Sequence, residues 1–207
     1  MRNRSKLLVA SLSTALLMSV AVGTASAGRI SLSNARFRMV WAPVILNFGD
    51  VRCNLTLEGS FHSSTLQKRA EALIGYISRA IIAPPAQCTN GEITLAQETL
   101  PWHIRYRGYV GRLPRPAGVV MGFTNVSLRA HVNSLGATCE ITTTSEKPFV
   151  GTAEADEEGG VTGFRADENS RIPLLGLCGI FGVEGSFSGG ARLTLLNATT
   201  RITVRLI

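Results

Sequence analysis

Long hydrophobic runs are scarce in this chain. After residues 7–23, the 207-residue sequence contains no second one, which excludes a membrane-spanning helix from the remainder of the chain. No C-x-x-C pair occurs, so a zinc cluster or a thioredoxin-like redox site is excluded as a sequence reading. No G-x-S-x-G elbow and no H-E-x-x-H pair is present, so neither common hydrolase signature is available. Aromatic residues make up 6%, too few for the two girdles of an outer-membrane barrel. Lysine is nearly missing beyond residue 27, with Lys68 and Lys147 set against sixteen arginines, a bias that reads as genomic base composition.

The start of the chain has the form of a secretory signal peptide. Arg2, Arg4 and Lys6 form a positive region, an uncharged apolar run comes next, and Ala25-Ser26-Ala27 supplies the small-residue cleavage pattern. The expected organisation is a signal over 1–27 and a single secreted β-rich domain over 28–207, long enough to bury a core. No cysteine stands at the cleavage point, so a lipid-anchored start is not expected. Removing the three basic residues of the signal leaves 18 basic and 14 acidic side chains, a charge of +4 that gives no reason to expect nucleic acid as a partner.

Export decides how the cysteines are read. Cys53, Cys88, Cys139 and Cys178 are expected to form two disulfides, preferably Cys53–Cys88 and Cys139–Cys178, and to act as staples. Strand signals dominate elsewhere. Period-two alternation marks 100–113, 119–132, 148–155, 161–166, 191–196 and 201–207. Asn197-Ala198-Thr199-Thr200 reads as a hairpin turn joining the last two, and Asp156-Glu157-Glu158-Gly159-Gly160 as a solvated hairpin tip. One segment differs. Leu66, Ala70, Leu73, Ile74, Ile77 and Ile81 have helical spacing, behind a Ser64-x-x-Gln67 capping box and before Pro84-Pro85, while Gly75 and the branched residues after it leave open a helix that stops near Ile74, with a strand from Tyr76 to Ile82. The expected fold is therefore all-β, about ten strands in an antiparallel sandwich or barrel, with one short helix near 64–80 and two disulfides.

Glu-Gly-Ser-Phe occurs at 58–61 and again at 184–187, each time at the end of a strand that a cysteine leads into; the pair reads as equivalent strand ends with a glycine bulge. Cys-x-Leu-x-Leu-Glu-Gly-Ser-Phe-His-Ser from Cys53, with Leu73-Ile74-Gly75-Tyr76, Leu100-Pro101-Trp102-His103 and the closing 202–207, resembles exported bacterial proteins of unassigned function. The resemblance implies no activity and no site residues.

His62, His103 and His131 are the only histidines, far apart in sequence, and no metal or other cofactor is expected. Trp41 and Trp102 read as core anchors. The most suggestive surface feature lies between Thr99 and His131, where Arg105, Arg107, Arg112, Arg115 and Arg129 occur without a single acid. Strict alternation puts His103, Arg105, Arg107 and Tyr109 on one strand face, with Trp102, Ile104, Tyr106 and Val110 on the other. Guanidinium groups beside an aromatic ring suit an anionic or glycan ligand, such as an anionic polymer of the cell envelope. The competing view is a solvated face whose arginines meet the acidic run 154–168. The functional expectation is a non-catalytic binding or envelope-associated protein. The alternatives are a barrel carrying a small apolar ligand and a secreted hydrolase that uses one of the histidines.

Overall fold

The computed structural model describes residues 29–82, 88–112, 115–181, 184–196 and 201–206. The signal segment, Pro84-Pro85 and the 197–200 turn lie outside them. Strand β1 (Arg29–Leu32) precedes the first wall strand, β2 (Arg36–Leu46), which rises to what we call the upper rim. The chain descends as β3 (Val51–Phe61), passes through β4 (Thr65–Gln67), and rises again as β5 (Leu73–Ile82). Above the upper rim it makes β6 (Gly91–Leu95) and a single 3-10 turn (Gln97–Thr99), then descends as β7 (Trp102–Arg112) and rises as β8 (Arg115–Thr124). A second excursion forms β9 (Ser127–Val132) and β10 (Ala137–Thr142) before β11 (Phe149–Ala155) descends and β12 (Val161–Ala166) rises. A third forms β13 (Ile172–Gly176) and β14 (Glu184–Gly185). The wall is completed by β15 (Phe187–Ser188) and β16 (Gly190–Leu195), and β17 (Val204–Leu206) lies below the lower rim.

Strands β2, β3, β5, β7, β8, β11, β12 and β16 form a closed eight-stranded antiparallel barrel, sealed by β16 and β3 pairing to either side of β2. Wall neighbours succeed one another in sequence, which is the up-and-down arrangement, and closure leaves the wall without an edge. Because the strands alternate in direction, all three long excursions lie at the upper rim. They combine into one five-stranded sheet in the order β14-β13-β10-β9-β6, laid across the barrel mouth as a cap. Below the lower rim, β17-β1-β4 forms a smaller sheet.

Alternation drives the core. Phe37, Met39 and Trp41 of β2, Trp102, Ile104 and Tyr106 of β7, and Met121 and Phe123 of β8 point inward and are buried. Phe164 sits among Trp41, Phe123 and Phe149 with ring centroids 5.6, 5.5 and 6.3 Å away. Gly151 makes room for it, since a Cβ there would collide with the Phe164 ring. The cap buries Leu128, Ala130, Val132, Ile141, Ile172 and Leu174 against the mouth. Both expected disulfides are present and both serve the cap: Cys53–Cys88 ties it to β3, and Cys139–Cys178 closes it on itself. Gly49, in the β2–β3 turn with φ +96°, lets the rim approach the cap, because a side chain there would run into Val132.

The expected helix near 64–80 does not form. Those residues make β4 and β5, with β5 hydrogen-bonded to β3 and β7. The misleading spacing has a cause: Ser78 is an extra residue between the pairs Gly59↔Ile77 and Glu58↔Arg79, so the inward side chains step from Ile77 to Ala80, three residues apart. Among the described residues the expected C-terminal hairpin pairing is not formed: β16 pairs with β2 over 191–195 and with β12 at 190–191, and 204–206 pairs with β1. The run 119–132 divides at Asn125, whose φ of +65° turns β8 into β9. Glu58-Gly59 lies opposite a bulge whose extra residue, Ser78, belongs to β5, and Glu184-Gly185-Ser186-Phe187 is a corner at which the chain leaves the cap sheet for the wall.

Candidate functional site on the barrel wall

The outer wall presents a belt of cross-strand neighbours, Arg36↔Ser60↔Tyr76↔His103↔Thr124, running across β2, β3, β5, β7 and β8. Side chains of such partners share a face and touch. The Tyr76 ring meets His103 edge-on at 5.3 Å and His62 edge-on at 4.8 Å. His62 is held at the end of β3, where its amide donates to the Ile74 carbonyl. The belt thus carries three aromatic rings in a row, partly exposed, with a hydroxyl at Ser60, while Thr124 at its end is buried.

Below His103 the wall turns basic. Arg105 stands beside Leu73 and Gly122 on the same outer face. Its Nη1 donates to the Glu71 carbonyl at 2.9 Å, and its Nε is buried with no partner among the described residues. Arg107 lies across Gly122 and pairs with the Glu71 carboxylate at 3.1 Å. The local charge is therefore two arginines against one glutamate, and the acids of 154–168 take no part: Glu154 is engaged by Arg165, and Asp156 by Arg201 and the Gly160 amide. Arg129, on the cap, pairs with Glu140. Arg112 is exposed at the hairpin end.

Tyr109 does not join this face. Arg107 is the extra residue of a bulge between Tyr106↔Met121 and Gly108↔Val120, and beyond it Tyr109 pairs with the inward-facing Val119. By register Tyr109 therefore joins Tyr106 on the inner side at the lower rim, where it remains 42% exposed, and Val110 turns outward, 48% exposed, the reverse of strict alternation. Structure thus keeps His103, Arg105 and Arg107 together, removes Tyr109 and supplies Tyr76 and His62 in its place. Tyr76 is not among the candidate site residues read from the sequence, although Gly75 and the branched residues after it leave open a strand from Tyr76 to Ile82, close to the β5 observed.

The barrel interior is filled by side chains. Between wall and cap remains a cavity of about 30 Å³, lined by Trp41, Leu57, Trp102, Phe123, Leu128 and Phe187 among others. That is room for a water or two, where small-molecule pockets occupy roughly 300–1,000 Å³. Trp41 and Trp102 are core residues, 1% and 2% exposed, and the Trp41 Nε1 has no partner among the described residues. Burial, and after it the proximity of Tyr109, raises the Tyr106 phenol above its ordinary 10.0. His131, on the top of the cap, lies 3.3 Å from the Thr138 hydroxyl.

No family model, no curated protein and no solved structure matches this chain.

Proposed function

We propose that the chain is an exported, non-catalytic binding protein whose outer wall engages an anionic polysaccharide of the cell envelope. The single observation that carries this reading is the row His62–Tyr76–His103 set directly above Arg105 and Arg107. Flat rings on a rigid sheet suit the faces of sugars, and guanidinium groups suit their carboxylates or sulfates. Arg105 gives one of its five donors to Glu71, so donors remain for a ligand oxygen. Export itself is supported by the apolar segment at 7–23 with its Ala-Ser-Ala pattern, and by two disulfides that need an oxidising compartment.

Polygalacturonate and dextran sulfate are suitable probes, with neutral dextran as the control, titrated calorimetrically at low and physiological salt. The expected result is binding of the charged polymers that weakens with salt, and at least tenfold weaker binding in Tyr76→Ala and in His103→Ala with unchanged thermal melting. Equal binding by Tyr76→Ala and the unaltered protein would remove the wall from consideration, and binding of dextran alone would remove the charge argument.

A further inference from the structure

Closure leaves the barrel wall without an edge except where β5 outruns β7, and the cap has edges, the longest among the described residues being β6. It pairs with β9 on one side; on the other, Thr89 just before it exchanges backbone hydrogen bonds with Arg52 of β3, and beyond that bridge no described strand pairs with it. The direction of its backbone groups is fixed by two hydrogen bonds. The Asn133 amide donates to the Asn90 carbonyl and the Ala96 amide to the Ser127 carbonyl, so residues 90, 92, 94 and 96 face β9. Ile93 and Leu95 therefore present their N–H and C=O groups outward, while Gly91 is buried beside Val51, next to the Arg52–Thr89 bridge. A second open edge stands beside it. β5 runs past the start of β7, so Ala80 to Ile82 pair only with β3, and the outward Ala80 carbonyl is taken by the Gln97 side chain at 3.0 Å. Between these edges lies an open groove of about 600 Å³, lined by Ile81, Ile82, Ile93, Leu95, Arg79 and Glu92 among others.

We infer that this edge takes an extended peptide strand from a partner protein, which becomes a sixth strand of the cap sheet. Unpaired edge groups are satisfied most completely by another strand, and side-chain alternation then sets the specificity. The apolar side chains of the partner would turn down onto Ile81 and Ile82 at the rim. Its outward side chains would stand beside Glu92 on the exposed upper face, which favours a lysine or arginine there. β6 lacks the proline or lysine that commonly guards an exposed edge. The inference is independent of the polysaccharide reading, since β6 shares no residue with the wall belt.

The test uses the oxidised protein and the acetylated, amidated peptide Thr-Val-Lys-Val-Thr-Val-Lys. Amide hydrogen exchange monitored by NMR should slow at least tenfold at Ile93 and Leu95 on adding peptide, leaving the β9-facing amides of Glu92 and Thr94 unchanged. Ile93→Pro removes an outward N–H without removing a β6–β9 bond, so it should keep its melting temperature and lose at least tenfold in affinity. Should that variant fold poorly, the same peptide N-methylated at alternate residues serves on the unaltered protein, and one of its two methylation phases must abolish binding. No protection along β6 at millimolar peptide overturns the inference, as does equal binding by both N-methylated phases. Concentration-dependent self-association that Ile93→Pro abolishes would also overturn it, by giving the edge to a second copy of the chain.

Discussion

Tyr106 and Tyr109 stand three positions apart, yet both belong to the inner side of the wall at the lower rim, because Arg107 occupies a bulge between them. Tyr106 is the more deeply placed, and the medium around it disfavours a phenolate. Its pKa in the folded protein is raised above the unfolded value, so its contribution to stability is fully present below about pH 10 and is lost as pH rises through the folded pKa. Urea unfolding between pH 9 and 10.5 should show stability falling over the upper part of that window. Tyr106→Phe should flatten the fall, and an unchanged slope in the variant would assign the decline to other groups. Trp41 and Trp102 were legible as core from residue type alone, whereas no residue type announces which phenol of a Tyr-x-x-Tyr pair is buried.

At the scale of the element, bulges account for the principal misreadings. Alternation located β7, β11, β12 and β16 with bounds close to those observed, and ran β8 and β9 together as one segment, 119–132. A bulge adds one residue to a strand while the residues beyond it keep their faces relative to the partner strand, so the phase of the pattern breaks although the strand continues. In β5 that break imitates a helix, and in β7 it moves Tyr109 off the basic face. The sequence carries no distinct mark for either bulge, because Ser78 and Arg107 are ordinary residues whose position is set by partner strands distant in the chain. A specific consequence concerns deletion. Removing Ser78 leaves Ile77 and Ala80 inward and restores regular pairing with β3, so the shortened chain should fold, with both disulfides formed and a cooperative melt. Deleting Thr56, which is regularly paired between Leu55 and Leu57, shifts one arm of β3 onto the wrong face and should prevent folding, as circular dichroism of the two variants would show.

For the whole molecule, the division of labour is between a wall that neighbouring strands build and a cap assembled from three separate excursions. Alternation alone could not choose between sandwich and barrel, because both use it. The choice was made by β2 meeting β16, a contact between the two ends of the wall that no local pattern encodes. Cysteine spacing, by contrast, was informative: both bridges join neighbours in sequence order, 35 and 39 residues apart. Each is worth about 3–4 kcal/mol in the chain-entropy view. Because Cys139–Cys178 lies wholly within the cap, Cys139→Ser with Cys178→Ser should lower stability by about that amount while amide exchange within β7 and β8 stays slow relative to the cap. Equal loosening of wall and cap would show that the two unfold as one unit.

Closure through β2 and β16 also has a consequence in time. Leu195 finds Phe37 across more than half the chain, whereas every other wall seam joins successive strands. A polypeptide delivered N-terminus first, from a ribosome or through a translocation pore, can assemble its hairpins as they emerge but cannot complete a ring until β16 is out. Until then β2 waits with one side unpaired, and the cap strands have no finished mouth to cover. Such a chain stays threadable for nearly its whole length, and its folding is committed by its last wall strand.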